Sequence, residues 1–249
     1  MTSSGSPSSP SSGSASGLIV ALDGPASSGK SSVGAAAAAE LGYRFCDTGL
    51  LYRAATWLAL KRGVSPEADA AALVALVPEI ELIPDAAGRL AHVSVDGEDV
   101  TDEVHTPVVD EHVSAVSRVP ELRAALLERQ RSIAREPGGI IMAGRDIGTV
   151  VLPDADLKIF LDASAEERAR RRAEERGFEP GSPDARQILA QLRERDDLDR
   201  NRSVAPLRPA EDAIHIVTDG NEFEDTVSAV VAAIRVAEER LSVAPGRLT

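Results

Sequence analysis

Cysteine is almost absent: Cys46 is the single one in 249 residues, so no disulfide can form within the chain and a reducing, cytoplasmic setting is expected. Aromatic residues make up only 3% of the sequence, which leaves aliphatic side chains and alanine to fill the core. Positive charge is also short. Against 40 acids stand 27 lysines and arginines, a formal charge of −13, and this excludes the broad basic surface that holds a nucleic-acid backbone. Any anion must therefore be held by a local cluster of cations. No apolar run approaches the length needed to span a bilayer, so no membrane partner is expected. Cysteine and the four histidines are too few and too scattered for a zinc cluster, no Ser–His–Asp arrangement is compelling, and the missing N-K-x-D motif counts against a GTPase.

The first 17 residues, MTSSGSPSSPSSGSASG, contain no core-forming side chain and lack the positive start and apolar stretch of a secretion signal. They are expected to be a disordered tail. From residue 18 onward, apolar strand-like runs alternate with helical patterns: GLIVALD, YRFCDTG, GIIMAG, LKIFLDA and AIHIVTD are each followed by helical or polar sequence. That alternation predicts an α/β core, a five-stranded parallel sheet flanked by helices. Residues 79–105 break the rhythm with period-two alternation in EIELIP and LAHVSVDGEDVTDEV. Such a pattern suits a small antiparallel sheet with one wet face, and it is expected to stand apart from the parallel core as an inserted subdomain.

Directly after GLIVALD comes GPASSGKSS, residues 24–32, which fits G-x-x-x-x-G-K-S between a strand and a helix. Gly24, Pro25, Ala26, Ser27, Ser28 and Gly29 form a loop with nothing to bury; its backbone N–H groups can turn inward around phosphate oxygens. The N-terminus of the following helix adds its positive dipole end. Lys30 would reach the β and γ phosphates of a nucleoside triphosphate, Ser31 would ligate Mg²⁺, and Ser32 completes the stretch. A flexible serine–glycine turn is the alternative.

Four other clusters bear on the chemistry, and each has a plain structural reading beside the functional one. CDTGLLYR offers the Thr48 hydroxyl and the Arg53 guanidinium at the carboxyl end of the second strand, or else a helix cap and a surface arginine. AGRDIGT places Arg145 and Asp146 at another strand end, suited to clamping phosphate and accepting from an amino group, or to a surface ion pair. In RERDDLDRNRS, Arg195, Asp199 and Arg202 stand at i, i+4 and i+7, so a helix would present them on one face, either to a nucleotide or to solvent. SAEERARRRAEERG reads as an arginine-rich helix, a mobile lid or an inert face laced with the pairs Glu166–Arg170, Glu167–Arg171 and Arg171–Glu175.

Taken together, IVALDGPASSGKSS, FCDTGLLYR, DGEDVTDEVHTPVV, AGRDIGTVVLPDADLKIFLDAS, ERARRR and RDDLDRNRSVAPL resemble the bacterial cytidylate kinases, a family of nucleoside monophosphate kinases, from about Leu18 to the C-terminal helix. The resemblance implies a core of about residues 18–62 and 120–249, a nucleotide-binding insert of about 63–119 and a lid of about 164–200, around ATP and CMP or dCMP with Mg²⁺, in a monomer. It places Thr48, Arg123 and Asp146 at the cytosine edge, Ser114, Arg195 and Asp199 near the sugar, and Arg53, Arg145 and Arg202 near the CMP phosphate. Lys30, Arg145, Arg195 and Arg202 would serve the transfer itself, and Arg168 and Arg172 on the lid would approach ATP. His105, Ser32 and Arg200 depart from residues frequent in the family. Another small-molecule phosphate-loop kinase and a nucleotide-dependent switch with little turnover remain the rival readings.

Overall fold

A computed structural model describes residues 17–65 and 69–243; the expected tail lies outside the described residues apart from Gly17. Strand β1 (Ile19–Asp23) runs into the phosphate loop and helix α1 (Lys30–Leu41) begins directly after it. Then come β2 (Arg44–Asp47), α2 (Gly49–Arg62), α3 (Ala70–Ala75), β3 (Ile80–Pro84), β4 (Leu90–Val95) and the short β5 (Glu98–Asp99). Helices α4 (Pro107–Val116) and α5 (Pro120–Arg135) lead back to β6 (Ile140–Gly144), followed by a π turn over Ile147–Val151. The chain closes with β7 (Leu157–Asp162), α6 (Ala165–Glu175), α7 (Pro183–Asn201), β8 (Ile214–Val217) and α8 (Phe223–Val243).

Five strands pair in parallel in the order β2-β6-β1-β7-β8, as the alternation of strands and helices predicts. Their near-continuous apolar runs follow from burial on both faces. On one face α1 and α8 pack Val33, Ala37, Val230 and Ile234 against Val20, Leu22 and Ile141; on the other, Ala134 of α5 and Ile147 and Val151 of the π turn meet Ala21, Ile140 and Met142. The period-two stretch does form an antiparallel hairpin, β3 with β4, but the expectation that it stands apart from the core is corrected. Leu90 pairs in parallel with Cys46 of β2, so the hairpin extends the same eight-stranded sheet. β3 is the outer strand, and burial alternates only at its start, with Ile80 buried and Glu81 exposed, whereas Val93, Ser94 and Val95 of β4 are all buried.

With few aromatics, small residues set the spacing of the layers. Ala37 and Ala38 are wholly buried, and at Gly34 a Cβ would lie 2.7 Å from the Phe45 ring and 2.9 Å from Leu22. Gly42 and Gly63 end α1 and α2 in the left-handed conformation, each at φ 67°. All five parallel strands point their carboxyl ends to one rim, and the order reverses at β1, between β6 and β7, which opens a crevice there. The close contact at Gly34 yields a stability prediction: Gly34→Val forces α1 off the sheet and is expected to cost about 2 kcal/mol, read as a lowered urea midpoint with an unchanged slope.

Candidate active site

The phosphate loop turns through positive φ at Ser27 (58°) and Gly29 (86°). Gly24 is needed for a different reason: a Cβ there would lie 2.2 Å from the Leu161 carbonyl oxygen of β7. Ser28 is buried with its Oγ unpartnered. Lys30 is buried at the start of α1, and its Nζ donates to the Pro25 carbonyl at 2.8 Å, across the loop. Ser31 Oγ donates to Asp47 Oδ2 at 2.6 Å, tying the loop to the end of β2.

A cavity of about 340 Å³ opens over this loop. Of the residues singled out in the sequence it gathers Ala26, Ser27, Gly29, Lys30, Ser31 and Ser32 with Thr48, Arg53, Arg123, Arg145, Asp146, Arg172, Arg195, Asp199 and Arg202. On its wall Arg123 donates to Asp146, whose other oxygen accepts from Arg202 at 3.2 Å, and Arg145 donates to Asp199. The Arg123 guanidinium lies 5.4 Å from the centre of the Tyr52 ring, and Thr48 Oγ1 donates to the Ala143 carbonyl at 2.8 Å. These partners come from β2, α2, α5, the β6 loop and α7, and only the sheet rim brings them together.

Three expected positions differ in detail. Arg202 is not on the helical face with Arg195 and Asp199: α7 ends at Asn201, Arg202 caps it with ψ 142°, and its Nε donates to the Ala205 carbonyl. Ser114, buried on α4, lines a second cavity that shares Arg172 and Arg195 with the first. Arg168 is 1% exposed; it grips Asp196 at 2.5 and 3.1 Å and donates to the Ala163 and Ala26 carbonyls, which makes it a joint between α6, α7 and the phosphate loop rather than an open cation. On the same helix Arg170 pairs with Glu167 and Glu174, Arg171 with Glu167, and Glu166 with Arg193 of α7.

The sequence reading missed four residues. Tyr52, one turn after Thr48 in a motif already singled out, was legible from the i, i+4 spacing. Asp47 and Arg171 also line the cavity. Asp110, in the first turn of α4, accepts from Arg53 at 2.7 Å and from Arg172, and no local pattern announces it because those partners are distant in sequence.

The cytidylate kinase family matches residues 20–236. A cytidylate kinase of Rhodococcus opacus (strain B4) is 46% identical over 224 residues, 89% of this chain and 96% of that protein. One from Pelotomaculum thermopropionicum (strain DSM 13744 / JCM 10971 / SI) is 45% identical over 216 residues, 86% of this chain and 95% of that protein. A bifunctional pantoate ligase/cytidylate kinase of Synechococcus sp. (strain CC9902) is 45% identical over 227 residues; they make up 89% of this chain, which spans about half of that relative's length, 46%. The chain belongs to the cytidylate kinase family.

In this cytidylate kinase family member the cavity carries more positive charge than its carboxylates balance. Burial, with Arg145 and Arg195 nearby, pushes Lys30 down to about 7. Burial and Arg145 push Arg195 down to about 9, and its Nε is buried without a partner. Asp199 is held below the usual carboxylate range: burial opposes ionisation, but Arg145 and Arg195 outweigh it. His105, which also lines the cavity, is lowered by partial burial and by Arg53 and adds no cation at neutral pH. Asp23, buried under the loop, is raised to about 6 by burial although it accepts from the N–H groups of Ile147 and Gly148 at 2.8 and 2.7 Å.

A lysine lowered to about 7 is largely neutral at pH 8, and a polyanion bound beside it raises it again toward its ordinary value of 10.5. Binding of inorganic tripolyphosphate at pH 8 is therefore expected to take up most of a proton more in the wild type than in Lys30→Arg, whose guanidinium is charged throughout; the difference, read by calorimetry in buffers of different ionisation enthalpy, cancels the proton the ligand itself releases. Equal proton exchange in the two proteins would refute the discharged lysine.

Proposed function

We infer that the chain transfers the γ-phosphoryl group of ATP to CMP or dCMP, giving ADP and CDP or dCDP. The observation that carries this reading is that the phosphate loop and the buried Arg123–Asp146–Arg202 chain open onto one cavity. One end is built for a triphosphate and the other for a planar group with donor and acceptor edges. The names of the relatives point to the same substrates.

An oxygen of the acceptor's phosphate attacks the γ phosphorus, and the bridging oxygen leaves with ADP. That acceptor oxygen is already anionic at neutral pH, so no strong general base is required and positioning with charge neutralisation dominates. Lys30, Arg145, Arg195 and Arg202 are the cations for the charge that spreads over the equatorial oxygens. Arg53 and Arg145 hold the acceptor phosphate, and Ser114, Arg195 and Asp199 its sugar. Thr48, Arg123 and Asp146 read the cytosine edge: the Asp146 carboxylate accepts from the N4 amino group, and the guanidinium donates to N3 or O2. The insert, about 63–119, and the lid, about 164–200 with Arg172, close over the two nucleotides and exclude water. One chain supplies every group that this scheme uses, which supports action as a monomer.

Mg²⁺ fits the donor set. The Ser31 hydroxyl and the Asp47 carboxylate are hard oxygen ligands side by side, while among the described residues no group of three or more His, Cys, Asp and Glu forms a metal cage. Mg²⁺ in such a site is held by one or two protein oxygens together with phosphates and water. When bound it neutralises charge on the β and γ oxygens.

MgATP with CMP and UMP, followed through ADP release, tests the reading; CDP formation is expected and its absence would overturn it. Arg123→Ala and Asp146→Asn should lower kcat/KM for CMP by roughly 5–150-fold, the worth of about 1–3 kcal/mol of base-edge pairing, with ATP binding changed far less. Because Arg123 and Asp146 are buried partners, a thermal melt accompanies each variant, and equal loss of both affinities in a folded variant would count against the assignment.

A further inference from the structure

Asp110 lines the second cavity; of its partners, Arg53 lines the cavity over the phosphate loop, and Arg172 and Arg195 line both. Its Oδ1 accepts from Arg53 at 2.7 Å and lies 3.8 Å from Arg195 Nη1, and its Oδ2 accepts from Arg172 and, at 3.2 Å, from Arg176. Four guanidiniums from α2, α6 with its C-terminal cap, and α7 thus converge on one carboxylate carried by α4. Helix surfaces pair charges with neighbours three or four residues along the same helix; a single acid drawing four arginines from three other elements is instead the coordination that a phosphate group receives. Arg172 also donates to Ser27 Oγ of the phosphate loop at 3.1 Å, so the same lid arginine touches both the loop and the acid. Even with Asp110 in place the cluster is short of negative charge, since Arg195 Nε remains buried and unpartnered.

We propose that Asp110 is a built-in stand-in for a nucleotide phosphate: without nucleotide it gathers Arg53, Arg172, Arg176 and Arg195 and latches α6 and α7 onto α2 and α4, and bound phosphates take those arginines from it. The proposal rests on the phosphate-binding reading of the cavity but not on which nucleoside is the acceptor. Asp110 belongs to no motif by which the family was recognised, and its role is one of positioning, through the arginines.

Two measurements on the full chain test it. Binding of inorganic tripolyphosphate with Mg²⁺ is compared in the wild type, in Asp110→Asn and in Glu111→Gln, which removes the same charge one residue away. Losing a competing anion should tighten binding about three- to tenfold in Asp110→Asn and leave Glu111→Gln within twofold. In parallel, trypsin cleavage between α6 and α7 without ligand should quicken severalfold in Asp110→Asn, and saturating MgATP with CMP should bring both proteins to equal protection. Should Asp110→Asn not fold, Asp110→Ser, smaller and still able to accept a hydrogen bond, serves in its place. Unchanged or weakened tripolyphosphate binding in a folded variant, or cleavage at the wild-type rate, overturns the latch. Failure of the wild type to make CDP while these ratios hold would fault the acceptor assignment and leave the latch standing.

Discussion

The structure turns on keeping several buried cations together before any ligand arrives. A chain with a formal charge of −13 assembles Lys30, Arg145 and Arg195 on one cavity, where Arg145 disfavours the charged forms of both other groups. Such a cluster survives only if carboxylates neutralise part of it, and Asp199, Asp47 and Asp110 do so from three different elements. The compensation is partial. Full neutralisation would leave nothing for a phosphate to gain, and none would leave uncompensated buried charge at a cost of several kcal/mol. The remaining deficit leaves the cavity net positive within a chain whose formal charge is −13.

The sheet supplies the rigid half of this arrangement. β1 pairs with β6 over five residues, Ile19 with Ile140 through Asp23 with Gly144, so the phosphate loop and the Arg145–Asp146 turn leave neighbouring strand ends. Asp23 then fixes the second turn against the first by accepting from the N–H groups of Ile147 and Gly148. A buried carboxylate raised toward neutrality is an expensive fastener. It is tolerated because those two N–H groups would otherwise be buried and unpaired, and because it fixes the spacing between the phosphate loop and the Arg145–Asp146 turn.

What the sequence revealed was what local chemistry determines. Strand runs, glycine caps and the phosphate loop each follow from neighbours within a few residues, and the five parallel strands lie where YRFCDTG, GIIMAG and the other runs place them. Helical spacing also predicted correctly that Arg195 and Asp199 share a face. It failed at Arg202 because the helix stops one residue earlier, and a capping residue's direction depends on Ala205, which it contacts in the turn beyond. The hairpin's attachment through Leu90 and Cys46 was not legible, since period two reports a wet face and not which strand lies alongside. Asp110 was invisible for a related reason: Arg53 and Arg172 lie 57 and 62 residues away, and each, read alone, belongs to an ordinary charged helix.

Arg168 and Arg172, one turn apart on α6, show how one charged helix makes two kinds of contact. Arg168 is sealed from solvent and bidentate with Asp196, so separating it from α7 or from the Ala26 carbonyl would strand a buried charge. Arg172 keeps a fifth of its side chain exposed and answers to Asp110 and Ser27, contacts that water can replace at little cost. The grip of α6 is therefore firm at Arg168 and loose at Arg172: parting the first strands a buried charge, whereas parting the second frees a guanidinium that already meets water.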